Sequence, residues 1–376
     1  MKILTHDEFL SLFKQKSPTW NEFQEKAQVR IGDRIVSLKE YKKQKGIKLE
    51  DCKLLYENIV NREDYLTRFY NMSLRVLPER LTIQEAPMKI NAMNNNELTI
   101  YKNWIRNIHY EDILKNTKSG LDNVSTFLDV LSDLYLKQII DYKILTPSSL
   151  FYMKNGRLGS VFSSYYFRAS IMNPYLVYSL NKRVLKGTKI FTPTLGWSSY
   201  CNGFLQCPDV VEYVGTDVIP SVCKKTKDMG ERFTPKKKID IYCEPSENLA
   251  KSKLFINKYK NHFDVVFFSP PYYRLELYAG KEQSTEKYKT YEEWLSKYWE
   301  ATIKLCYNVL QPGGKLCYIL SGYGSENTKE QYNLLDDMNS ITKKYFQLRK
   351  VIPMHNKDVH VTKHKETAEK IMIFSK

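Results

Sequence analysis

The chain has 376 residues, 42% of them apolar, enough for one large domain or two of ordinary size with a substantial core. No apolar run reaches the ~18 residues of a membrane-crossing helix, and the opening Met1-Lys2-Ile3-Leu4-Thr5-His6-Asp7 turns polar too early for a signal peptide. Lys and Arg number 58 against 42 Asp and Glu, a formal charge of +16 that suits a polyanionic partner better than a cationic or purely apolar one.

Seven cysteines, an odd number without paired spacing, read as reduced thiols of a cytosolic compartment. Cys201 and Cys207 lack the spacing of a zinc knuckle.

Up to about residue 150 the chain is poor in Gly and Pro and reads as mainly helical. The segment Lys39 to Gly46 reads as a basic turn or loop. Tyr65, Phe69, Met72 and Val76, ahead of Pro78, form one expected helix face. Val124, Phe127, Leu128, Leu131, Leu134 and Tyr135 form another, with Asp122 or Asn123 as its cap.

From about residue 185 short β-rich runs alternate with helical stretches. The runs are 189–191, 212–215, 239–242, 264–268 and 315–320. They carry few charges, as strands buried on both faces do. The alternation predicts an α/β fold with a doubly wound, mostly parallel, Rossmann-like sheet. In such sheets ligands bind beyond the carboxyl ends of the strands.

After the first run comes Thr192-Pro193-Thr194-Leu195-Gly196-Trp197-Ser198-Ser199-Tyr200, where Gly196 permits a close backbone approach. Asp217 follows the second run, about 20 residues beyond Gly196. It is placed either to accept from ribose hydroxyls or to cap a helix. Glu244 and Ser246 follow the third and can accept from an adenine amine or cap the next helix. Ser269-Pro270-Pro271-Tyr272-Tyr273 follows the fourth: its prolines remove backbone donors and stiffen the turn, and its tyrosines offer a planar base a stacking surface.

These residues resemble the S-adenosylmethionine-dependent amino-methyltransferases that make N4-methylcytosine or N6-methyladenine, across roughly residues 150–376. That family has an (Asp/Asn/Ser)-Pro-Pro-aromatic motif after its fourth strand. The resemblance implies a methyltransferase domain over 151–376, preceded by a helical region over 1–150 that serves target recognition or oligomer contacts. It implies Ser269, Pro270, Pro271 and Tyr272 as catalytic residues. Pro193, Thr194, Gly196, Trp197, Asp217, Glu244 and Ser246 are the implied cofactor residues, and Tyr272, Tyr273 and Arg274 the substrate residues. Residues 159–174 resemble the segment that holds the methionine part, and 288–295 and 310–315 the next helix and strand-leading turn.

Two positions depart from the family loop. Thr192 stands where an acid is usual, removing a charge that could face the methionine amine, and Ser198 stands where a second Gly is usual, adding a side chain near the ligand. The implied partner is nucleic acid, DNA ahead of RNA, with a homodimer among the options. No membrane and no metal are implied, and the location is the cytoplasm or nucleoid, or the nucleus in a eukaryote. Ser269 at the motif's first position leans toward cytosine. RNA-base, protein-glutamine and degenerate, purely nucleic-acid-binding variants are the competing readings.

The long stretch 273–291 reads as a lid or binding segment, with Arg274, Lys281, Lys287 and Lys289 able to reach phosphates. Lys224, Lys225, Lys227, Arg232, Lys236, Lys237 and Lys238 form a second basic cluster. His360 and His364 read as a surface pair.

Overall fold

A computed structural model describes residues 2–321, 332–355 and 366–376. His360 and His364 lie outside the described residues. The chain forms two interleaved compact units: residues 77–109 join 170–376, while 110–169 join 2–76. The division therefore differs from one cut near residue 150, because residues close in sequence around 77 and 110 pack with distant partners.

The larger unit is built on a seven-stranded sheet. Its strands are β1 (Lys189–Thr192), β2 (Glu212–Thr216), β3 (Lys238–Tyr242), β4 (Phe263–Phe268), β5 (Leu310–Ser321), β6 (Gln347–His355) and β7 (Glu366–Ser375), in the spatial order β6-β7-β5-β4-β1-β2-β3. β1 to β5 pair in parallel, and β7 runs antiparallel between β5 and β6. Ile190, Phe191, Tyr213, Val214 and Val265 to Phe268 are all buried, which explains why these runs show no alternation. Helices Pro174–Leu180, Ser199–Leu205 and Pro220–Phe233 form one helical layer, and Ser246–Leu249, Lys253–Tyr259 and Glu300–Val309 the other. The fold is thus the doubly wound, Rossmann-like α/β class.

Register decides where the motifs land. Thr192 lies beside Gly215, Thr216 beside Tyr242, and Phe191 beside Val266, so the carboxyl ends of β3, β2, β1 and β4 line up along one edge. The Asp264 carboxylate pins the opposite end, accepting from the amides of Thr188 and Lys189 and the Thr188 hydroxyl at 2.6–3.0 Å.

The smaller unit is helical around a three-stranded sheet of Arg34–Ser37, Gln28–Ile31 and Ile139–Asp141. Lys39 to Gly46 is a helix rather than a turn: Ser37 caps Leu38–Lys45, Leu38 and Tyr41 are buried, and Gly46 ends it at φ 65°. Helix Arg62–Ser73 buries Leu66, Phe69 and Tyr70 and leaves Met72 exposed, so the apolar face is rotated from the one expected. The cap of Phe127–Ser132 is Thr126, whose hydroxyl accepts from the Asp129 amide, not Asp122 or Asn123; a π-helical turn, Asp133–Lys137, follows. Among the described residues no helix is long and apolar enough to cross a membrane.

Candidate active site

The aligned strand ends border a cleft, the place where doubly wound sheets bind their ligands. The loop after β1 forms one wall. Gly196, Trp197 and Ser198 are consecutively left-handed at φ 51°, 58° and 68°, a run that non-glycine residues rarely adopt. It is held by buried hydrogen bonds. Ser198 Oγ lies 2.8 Å from His109 Nε2 and 2.7 Å from Thr226 Oγ1, and the Trp197 ring is near the rings of His109 and Tyr278.

Pro193, Thr194, Gly196 and Trp197 line the cleft, but Thr192 and Ser198 do not. The Thr192 hydroxyl is buried 2.6 Å from that of Tyr213, and the Ser198 hydroxyl is engaged with His109 and Thr226. Neither side chain therefore lines the cleft, so Ser198 does not stand toward a ligand there as the sequence suggests.

Burial, reinforced by Lys225, holds the His109 imidazole well below its ordinary 6.5. It stays neutral in the fold, while the unfolded chain takes up a proton below about pH 6.5. Unfolding is therefore favoured as pH falls through that range, by up to about 1.4 kcal/mol per pH unit from this group. Thermal melts between pH 7.5 and 5 are expected to show a falling midpoint, with a shallower slope in His109→Gln. An equal slope in both would remove His109 as the cause.

At the end of β2, Asp217 accepts from the amides of Leu195 at 3.1 Å, Val218 at 2.8 Å and Ile219 at 3.2 Å. Burial raises its carboxyl above the ordinary range, opposed by these three donors. Asp217 braces the turn before the next helix but is not its cap, which is Ile219 with no side-chain cap bond, and it lines the cleft with one lone pair to spare. After β3, Glu244 and Ser246 also line it, the Ser246 hydroxyl lying 2.7 Å from that of Thr302.

The turn after β4 faces them. Ser269, Pro270, Pro271 and Tyr272 all line the cleft. Ser269 Oγ donates to the Ile319 carbonyl at 3.2 Å, which leaves its lone pairs as acceptors. Its backbone is clamped by Tyr200: the Ser269 amide donates to the Tyr200 hydroxyl at 3.0 Å, and that hydroxyl donates to the Ser269 carbonyl at 3.3 Å. Burial pushes the Tyr272 hydroxyl well above its ordinary value, so it stays a neutral phenol.

Tyr273 and Arg274 do not line the cleft. Tyr273 is packed against Tyr291, Trp294 and Tyr332, its hydroxyl donating to the Lys289 carbonyl. Arg274 donates to the same carbonyl. Tyr273 is buried among these rings and Arg274 is exposed, so neither side chain reaches the cleft, contrary to the substrate-contact expectation.

Sequence reading gave no site role to Asn95, Tyr200, Glu276, Tyr278, Tyr298 and Glu369, which also line the cleft. The one signal was the length of 273–291, which brings Glu276 and Tyr278 to the cleft. That loop's Lys287 is paired with Glu247 and Glu282, and Lys289 with Glu286. Lys237 donates to the carbonyls of Leu205 and Cys207, and Lys238 pairs with Glu212. These four lysines are engaged within the protein, which narrows both basic clusters.

The cleft's charge is opposite to that of the chain. Asp217, Glu244, Glu247, Glu276, Glu282 and Glu369 line it, and no Lys, Arg or His does among the described residues. No group of acids, His and Cys suited to holding a metal ion occurs among them.

Residues 214–359 match the family model of the Eco57I restriction-modification methylase, the kind of enzyme that the Ser269–Tyr272 motif resembles. No curated protein matches the chain by sequence. Similar solved structures include the N-methyltransferase NodS from Bradyrhizobium japonicum WM9 with S-adenosyl-L-homocysteine, at 12% identity and a TM-score of 0.35 over 53% of this chain and 82% of that one. TrmN from Thermus thermophilus matches at 12% and 0.35 over 55% of this chain and 49% of its own length. The methyltransferase domain of bacterial CtHen1-CN matches at 13% and 0.37 over 54% and 97%.

Proposed function

We propose that this chain, part of which matches a restriction-modification methylase family, transfers a methyl group from S-adenosylmethionine to an exocyclic amino group of a DNA base, N4 of cytosine or N6 of adenine. The observation that carries the reading is the position of Ser269-Pro270-Pro271-Tyr272 at the end of β4, in a cleft that also holds Asp217 and is lined by carboxylates without cations. Such a cleft suits a ligand that is itself cationic and repels a free nucleotide phosphate. The Ser198 hydroxyl is engaged by His109 and Thr226 and not turned to the cleft, which supports a catalytic over a degenerate reading.

The cofactor supplies a methyl group on a sulfonium, so the N–C bond forms as the C–S bond breaks, its electron pair stays on sulfur, and the amine's proton leaves to water. Everything else falls to the protein. Asp217 would receive a ribose hydroxyl, and Glu244 and Ser246 would border the adenine. An exocyclic amine is a poor nucleophile because its lone pair is delocalised into the ring. Ser269 Oγ accepts from the amine N–H and favours a pyramidal nitrogen, while Tyr272 stacks on the base and fixes the line of attack. Positioning of this kind is worth several kcal/mol, up to roughly 7–11 in ideal cases. A base in duplex DNA must first be flipped out of the stack.

A groove along the outer strand β6 supports a nucleic-acid partner. Lys89, Arg183, Lys350 and His355 line it around Ile90, Asn91 and Val351, and no acid does among the described residues. The segment that supplies Lys89 to Asn91 continues to Asn95, which lines the catalytic cleft. A phosphate backbone lying in the groove would thus run toward the reacting base. Lys89→Ala with Lys350→Ala is expected to weaken duplex binding about tenfold near 0.15 M salt and to lower the slope of log K against log salt by roughly 2. Anisotropy titrations at several salt concentrations measure both, and an unchanged slope would remove the groove from the interface.

Incubation with labelled S-adenosylmethionine and mixed DNA, RNA and protein, followed by mass analysis of the modified nucleoside, tests the whole reading. N4-methylcytosine or N6-methyladenine in DNA is the expected product, with cytosine favoured by Ser269. Label confined to RNA or protein, or no transfer at all, overturns it.

A further inference from the structure

We infer that Glu276 is the residue that receives the methionine ammonium of the cofactor, taking the part that an acid after β1 plays in the resembling family. The inference rests on the methyltransferase reading and adds a residue to it. Glu276 is 8% exposed and lines the cleft. Its Oε1 accepts from the Ser170 amide at 2.9 Å and its Oε2 from the Tyr278 hydroxyl at 2.7 Å. Among the described residues it forms no ion pair. Asp264 and Glu212, by contrast, are half-buried or buried acids whose oxygens are taken up by backbone amides or by Lys238 and His262. A buried carboxylate without a counter-charge is costly unless one arrives, and the cleft offers none of its own.

Strand order says which end of the ligand arrives there. Glu244 and Ser246 stand at β3, Asp217 at β2 and Ser269 at β4. A ligand with adenine at β3 and ribose at β2 therefore carries its sulfur and amino-acid end over β1 and β4. Glu276 lies at that end: it follows the β4 turn, and Tyr278, which holds it, packs on Trp197 of the β1 loop. The other carboxylates are placed elsewhere. Glu247 and Glu282 share Lys287, Glu244 is exposed, and Glu369 stands on β7 opposite Ser321 at the end of β5. The two donors use one lone pair on each Glu276 oxygen and leave the others for N–H donors. An ammonium supplies such donors and a sulfonium does not. The lining also holds the hydroxyls of Thr194, Tyr272 and Tyr298, buried without a hydrogen-bond partner among the described residues.

Calorimetric titration of wild type and Glu276→Gln with S-adenosylmethionine, S-adenosylhomocysteine and methylthioadenosine tests this. The first two carry the ammonium and the third lacks it. Glu276→Gln is expected to weaken both amino-acid-bearing ligands by the same factor, about 10- to 100-fold, and to leave methylthioadenosine unchanged. Tyr278→Phe, which removes one of the two donors, is expected to give a smaller loss with the same pattern. Equal affinities, a loss confined to S-adenosylmethionine, or an equal loss for all three ligands each overturn the assignment. Failure of the wild type to bind any of the three would instead overturn the methyltransferase reading.

Discussion

Ser269→Ala is expected to slow methyl transfer by about 100- to 1,000-fold, with cofactor affinity changed less than about twofold. The magnitude is that of removing one preorganised polar group aimed at a reacting centre. Ser269 Oγ gives its proton to the Ile319 carbonyl, so only its lone pairs face the cleft. The alanine variant deletes that acceptor together with the bond to Ile319, while Tyr200 still holds the backbone of residue 269 through main-chain atoms. Ser269→Asn restores an acceptor at a greater reach and is expected to keep part of the rate. Single-turnover measurements with saturating cofactor and duplex read the chemical step directly. An unchanged rate in Ser269→Ala would mean that the amine is oriented by other groups, and the catalytic role given to the hydroxyl would fall.

Much of this site was legible because its chemistry lies at the ends of strands that are buried on both faces. Runs such as Val265 to Phe268 declare themselves by the absence of charge, and the polar residues just beyond them fall at the ligand-binding edge of any doubly wound sheet. β6 is less visible: it is an edge strand with Gln347, Arg349, Lys350 and Val351 exposed and Pro353 inside it. Glu276, Tyr278, Tyr298, Glu369 and Asn95 could not be read, because each reaches the cleft from a segment whose own sequence has no periodic or motif signal. The exchange of residues 77–109 and 110–169 between the two units is hidden for a similar reason. Local patterns tell which residues face a core, and not which core.

Gly196 carries the second large expected effect, for a reason beyond the one that sequence suggests. Gly196→Ala is expected to reduce both cofactor affinity and the transfer rate by more than tenfold, although sequence suggests only a close approach to a ligand. A Cβ at this position would lie 2.3 Å from Cζ of Tyr200, with two further ring carbons within 2.7 Å, and the residue sits at φ 51°, where a side chain adds roughly 1–2 kcal/mol of strain. The ring has little room to retreat. It is buried and packs edge-on to Phe267, centroids 5.1 Å apart, while its hydroxyl is fastened to Ser269. Displacing it moves the cofactor loop, the catalytic turn or both. Tyr200→Phe separates the two effects: the ring still supports Gly196, but Ser269 loses its clamp. That variant is expected to bind cofactor normally and lose about tenfold or more in kcat, since a displacement near 1 Å at a reacting group can cost about 100-fold. A KM-against-kcat comparison of the two variants decides it. If Tyr200→Phe raised KM for the cofactor and spared kcat, Tyr200 would be a support of the β1 loop alone, and the link between cofactor loop and catalytic turn would have to run through another residue.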